Sequence, residues 1–100
     1  MAYFIYILYS PSSDKYYVGY TNDYKRRLEE HNSSLHNTYT SKHRPWKLAA
    51  VFECGESEGD AMKIEKFIKK QKSRKLIEKM INGDLLDGNL AQLVRVRFDS

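Results

Sequence analysis

A single cysteine, Cys54, excludes any disulfide within the chain, so a domain of 100 residues has to be held by one packed core. A lone thiol fits a reducing compartment. No apolar run approaches the roughly 18 residues that a membrane-spanning helix requires, and the N-terminus lacks a basic stretch leading into an apolar one. A cytoplasmic protein with no membrane contact is the expectation. Neither His-x-x-x-His nor Cys-x-x-Cys occurs, which argues against a dedicated structural zinc site. A glycine-rich phosphate loop and a Ser/His/Asp constellation are missing as well, and no repeat or low-complexity segment interrupts the chain. Tyrosine is plentiful, yet none follows Tyr39.

Six of the eight tyrosines fall between Tyr3 and Tyr20, in "YFIYILYSPSSDKYYVGY". Residues 2–9 are apolar or aromatic on both alternations, with Tyr3, Ile5, Ile7 and Tyr9 on one side and Phe4, Tyr6 and Leu8 on the other. A strand covered on both faces, hence a central strand, is expected. "SPSSDK" supplies a turn and "YYVGY" resumes extended structure, which makes a hairpin. Gly19 inside the second strand signals a bulge or a close backbone approach.

"TNDYKRRLEEHN" has helical periodicity behind a cap at Thr21 or Asn22. "SSLHNTYTSKHRP" reads as a loop, and "WKLAAVFEC" as a third strand after Pro45. Ser57 stands three residues before Asp60, a capping start for a helix whose Ala61, Ile64, Phe67 and Ile68 keep helical spacing. Ser73 caps a further helix, which Asn82-Gly83 ends. Residues 84–100 stay ambiguous, since "LVRVRF" alternates like a strand but suits an appendage or a partner-binding edge equally well. The expected fold is α+β, a small three-stranded antiparallel sheet flanked by helices in the order β-β-α-β-α-α. The domain is expected over residues 1–83, with 84–100 as a C-terminal extension.

The net charge of +4 is uneven, because residues 63–79 hold eight Lys/Arg against two Glu. Such a stripe meets phosphate backbones or simply lies in solvent, and charge alone leaves both open. At about 100° per residue, Tyr24, Leu28 and His31 share a helix face, Arg27 flanks it and Arg26 points away. Glu65 borders the stripe of Ala61, Ile64 and Ile68, one turn before Lys69. Taken singly, each has a plain structural explanation: a glutamate partner for Arg27, the helix C-terminal dipole for His31, an i,i+4 ion pair for Glu65.

Together, however, "FIY" at 4–6, "YVG" at 17–19, "RLEEH" at 27–31, Tyr39 and "AMKIE" ending at Glu65 resemble the GIY-YIG nuclease superfamily. The resemblance runs over residues 3–80 and is strongest to its small single-domain bacterial branch, related to structure-specific branched-DNA endonuclease subunits. "YTSKHRPWKL" supports that placement, while Phe4 stands where the motif has glycine. The resemblance implies an Mg²⁺-dependent (or Mn²⁺-dependent) DNA endonuclease, acting on branched or single-stranded DNA in repair or recombination, with one ion held by Glu65. It implies catalytic roles for Tyr6, Tyr17, Arg27, His31 and Tyr39, with substrate contacts at Gly19, Lys69, Lys70 and Lys72. Which of Tyr6, Tyr17 and His31 takes the proton stays open. A non-catalytic nucleic-acid-binding module, or a subunit active only with a protein partner that supplies specificity, is the alternative.

Overall fold

A computed structural model describes residues 1–33 and 40–98 of the chain. Strands β1 (Tyr3–Ser10) and β2 (Lys15–Thr21) form the hairpin, followed by α1 (Tyr24–Ser33), β3 (Lys47–Gly55), α2 (Glu58–Gln71), α3 (Arg74–Asn82) and β4 (Val94–Val96). The sheet is antiparallel throughout, in the order β2-β1-β3-β4. β1 therefore has a neighbour on either side, as its doubly apolar sequence requires.

The two alternations of β1 feed two apolar layers. Ile5 and Ile7 pack with Val18, Ala50 and Phe52 against Ala61, Ile64 and Ile68 of α2 and Ile77 and Met80 of α3. Tyr6 and Leu8 pack with Trp46 and Val51 on the opposite face, where Tyr24 and Leu28 of α1 cover them. Each large apolar side chain fully buried this way contributes about 1.5–3 kcal/mol. Among the described residues, no helix is long and apolar enough to cross a membrane.

Helix ends follow local chemistry. Ser57 accepts from the Asp60 amide at 3.2 Å and Ser73 from the Leu76 amide at 3.1 Å. Gly83, at φ 82°, closes α3 in the left-handed conformation that costs glycine little. The α1 cap differs from expectation. Asp23, rather than Thr21 or Asn22, accepts from the Arg26 amide at 3.1 Å, because Thr21 still belongs to β2 and its hydroxyl takes the Asp23 amide at 3.0 Å.

The sheet has four strands rather than the expected three. β4 pairs with β3 through Val51–Val96, Phe52–Arg95 and Glu53–Val94. Arg95 anchors it, donating to the Met80 and Ile81 carbonyls at 3.1 and 3.0 Å while its guanidinium lies 5.4 Å from the centre of the Phe52 ring. These carbonyls lie at the C-terminal end of α3, where the Gly83 amide reaches Met80 at 3.2 Å and the helix dipole makes a cation favourable. Leu90 from the same segment is buried in the core.

Candidate active site

The register of the hairpin decides where Tyr6 can point. Tyr6 lies opposite Gly19. A Cβ at position 19 would collide with the phenol ring of Tyr6, so the missing side chain is what lets that ring lie across β2 toward its open edge. Tyr17 lies two residues along β2 on the same face, its ring 6.2 Å from that of Tyr6.

α1 presents the next groups. His31 is buried, at 7% exposure, with Nε2 3.0 Å from the Tyr6 hydroxyl and its ring 4.8 Å from Tyr17. Its backbone carbonyl accepts from Arg44 Nε at 2.7 Å. The Asn32 side chain clasps the Trp46 backbone from both sides, at 2.7 and 3.0 Å, so the end of α1 is fixed to the start of β3. One turn before His31, Arg27 binds Glu30 at 2.6 Å, and Arg26 reaches the other oxygen of the same carboxylate at 3.6 Å. Arg26 is thus not turned wholly away: both arginines line the same cleft.

From the far side, α2 contributes Glu65, whose side chain is 17% exposed and pairs with Lys69 Nζ at 3.4 Å. The Lys69 ammonium in turn lies 5.3 Å from the centre of the Tyr17 ring. Tyr6, Tyr17, Gly19, Arg27 and Glu65 border one cleft of about 410 Å³ at the outer edge of β2, between α1 and α2. His31 stands behind it, reached through Tyr6. Lys69 and Lys72 line a neighbouring hollow, whereas Lys70 is exposed and lines neither. Tyr39 lies outside the described residues.

Tyr20, Glu58 and Arg26 also border the cleft without having been singled out in the sequence. The Tyr20 hydroxyl donates to Glu58 Oε2 at 3.4 Å. Glu58 precedes Glu65 by seven residues, two helical turns, and that i,i+7 spacing was the one available signal.

Burial sets the protonation of the central pair. It pushes the Tyr6 phenol up to about 12, against the opposing pull of the Arg27 guanidinium. It pushes the His31 imidazole down to about 4, and the Arg27 charge adds to that. At neutral pH the pair is therefore an intact phenol and an uncharged imidazole, joined by one hydrogen bond.

The shift at His31 has a consequence for stability. Unfolded, His31 takes up a proton near its ordinary 6.5, but folded only near 4. Between these values the unfolded chain binds more protons, so stability is complete above 6.5 and falls as pH drops toward 4, by about 3 kcal/mol at most. Urea unfolding at about pH 7.5 and about pH 4.5 is expected to show this loss in the wild type and a smaller one in His31→Gln. An equal loss in both would assign the acid sensitivity to other groups.

The family model described as the GIY-YIG catalytic domain matches residues 2–79. The UPF0213 protein YsiG of Lactococcus lactis is 35% identical over 96 residues, covering 95% of this chain and 89% of that protein. A UPF0213 protein of Bacillus cereus is 36% identical over 73 residues, 73% of this chain and 75% of its own. The solution NMR structure of a UPF0213 protein from Bacillus halodurans aligns with a TM-score of 0.47 at 32% identity, over 82% of this chain and 84% of that one.

Proposed function

Since the chain belongs to the GIY-YIG family, whose domain is of nuclease type, we propose that it is a metal-dependent endonuclease hydrolysing phosphodiester bonds in branched or single-stranded DNA. One observation carries the reading: Tyr6, Tyr17, Arg27 and Glu65, from four different elements, border one cleft with an uncharged His31 behind it.

The donors suit a hard divalent cation. Glu65 offers a carboxylate into the cleft and Glu58 a second from the same helix. Mg²⁺ is ordinarily held by one or two carboxylates, with water and substrate phosphate completing its shell. Among the described residues no group of three or more His, Cys, Asp or Glu gathers to enclose an ion, which leaves that completion to the substrate. Glu65 would hold Mg²⁺ or Mn²⁺, and the bound ion would polarise the scissile phosphate and stabilise the departing oxygen.

The chain's own groups supply the remainder. Arg27 exchanges Glu30 for a phosphate oxygen and offsets the negative charge that builds on phosphorus. The Tyr6 oxygen accepts a proton from the attacking water as its own hydroxyl proton passes along the 3.0 Å hydrogen bond to His31 Nε2. His31, with a pKa near 4, is free to take that proton throughout the neutral range. Tyr17 borders the phosphate position beside them, and Lys69, held by Glu65, lies next to it. Target choice falls to the walls of the cleft or to a protein partner.

Purified protein incubated with branched, single-stranded and duplex DNA is expected to cut in Mg²⁺ and not in EDTA. Failure to cut any of them in either Mg²⁺ or Mn²⁺ would leave a non-catalytic binding module or a subunit that cuts only with a protein partner.

A further inference from the structure

Beyond the cleft, β2 and α2 run side by side in opposite directions, and their residues pass in matched order into a second hollow. Along α2 the sequence is Glu58 and Glu65 in the cleft, then Lys69 and Lys72 in a hollow of about 310 Å³. Along β2, Tyr20 and Gly19 border the cleft and Tyr16 and Lys15 the hollow, while Tyr17 and Val18 overlap where the two meet, Tyr17 in the cleft and Val18 in the hollow. The distance is set twice over. Glu65 to Lys72 is about 10 Å at the helical rise, and Gly19 to Lys15 about 13 Å at the strand rise.

The hollow is strongly positive. Lys15, Lys69, Lys72 and Arg74 line it against a single acid, Asp14. Lys69 is paired with Glu65, and Arg74 with Asp14 and Glu78, at 2.7 and 3.2 Å respectively. Arg74 also lies 4.8 Å from the centre of the Tyr16 ring, and the Tyr9 hydroxyl donates to Asp14 at 2.8 Å. This latch ties the β1–β2 turn to α3 and gives the hollow a fixed wall. Lys15 and Lys72, by contrast, are exposed and have no ion-pair partner among the described residues.

Two unpaired ammonium groups on a fixed wall, one seam away from the cleft, suit a polyanion already anchored there. We propose that the β2–α2 seam is a track for the sugar-phosphate backbone on one side of the scissile phosphate, with Lys15 and Lys72 taking phosphates a few nucleotides away. The inference rests on the endonuclease reading for its anchor point. It assigns Lys72 to the substrate and adds Lys15, which lies far from the lysine-rich helix in sequence.

The test is DNA binding in EDTA, by fluorescence anisotropy over a salt series, with labelled branched and single-stranded DNA. Lys15→Gln/Lys72→Gln is expected to make the slope of log affinity against log salt shallower by about 1.4 to 1.8, two contacts' worth. Lys47→Gln/Lys79→Gln removes the same charge from exposed positions outside the seam and is expected to keep the wild-type slope. Trimming the strand that follows the seam back to the cut is expected to abolish the difference between wild type and the seam variant. A seam variant with the wild-type slope, or a control that flattens equally, overturns the track while leaving the cutting reaction untouched. Wild-type protein that binds no DNA overturns both.

Discussion

Glu65→Gln is expected to yield a folded protein that binds DNA within a few-fold of wild type and cuts it at least ~10³-fold more slowly. The side chain borders the apolar stripe of α2 without belonging to it, since Ala61, Ile64 and Ile68 carry the burial. Its ion pair with Lys69 is an i,i+4 surface pair, worth about 0.3–0.5 kcal/mol, so the helix survives the loss. Removing a negative charge from a cleft that receives phosphate does not weaken binding. What disappears is the carboxylate that would hold the ion, and several kcal/mol of transition-state stabilisation correspond to a thousand-fold or more in rate. Single-turnover cleavage across an Mg²⁺ titration, with circular dichroism for the fold, makes the comparison. A variant that reaches the wild-type rate at saturating Mg²⁺ would take the metal role from Glu65.

The second large effect is expected from Tyr6→Phe, which deletes one oxygen and keeps the ring packed against Leu8, Trp46 and Val51. A loss of ~10²-fold or more in single-turnover rate is expected, the scale of a positioned proton acceptor. His31 loses its 3.0 Å partner as well, so a cost of about 1–3 kcal/mol in stability is expected alongside. Arg27→Ala is expected to fall by a similar factor in rate through lost charge stabilisation. Tyr24→Phe, which keeps its ring packed edge-on against Phe4 and lies outside the cleft, serves as the neutral control.

The pH profile separates two versions of this chemistry. If the proton passes from water through Tyr6 to His31, the rate is level across the neutral range and drops only toward the His31 value near 4. If a preformed tyrosinate at Tyr6 were the base, the rate would climb with each pH unit toward about 12. A steady climb through the neutral range would remove His31 from the proton path and leave Tyr6 alone in it.

Local pattern carried much of the architecture. The doubly apolar "YFIYILY" demanded a central strand, and β1 is flanked by β2 and β3. Ser57 and Ser73 announced two helices because a hydroxyl three residues ahead of an amide is a short-range geometry. Gly19 marked a close approach, though only the strand register shows that the approaching group is the Tyr6 ring. The spacing of the motifs from Phe4 to Glu65 pointed to the family that the chain matches over residues 2–79.

What stayed illegible depended on distant partners. β4 is three residues long and exists through its pairing with β3, some forty positions earlier, and through Arg95 at the end of α3. No window around residues 94–96 contains either partner. Arg26, Tyr20 and Glu58 border the cleft because α1 and α2 converge on the open edge of β2, a fact of packing rather than of periodicity. The sequence by itself determined which residue types lie on which face of each element, because those periodicities are properties of the backbone. Only the tertiary structure decided that at rest Tyr6 is an intact phenol and His31 an uncharged imidazole, because the cost of charging either group is set by the water that the surrounding elements remove.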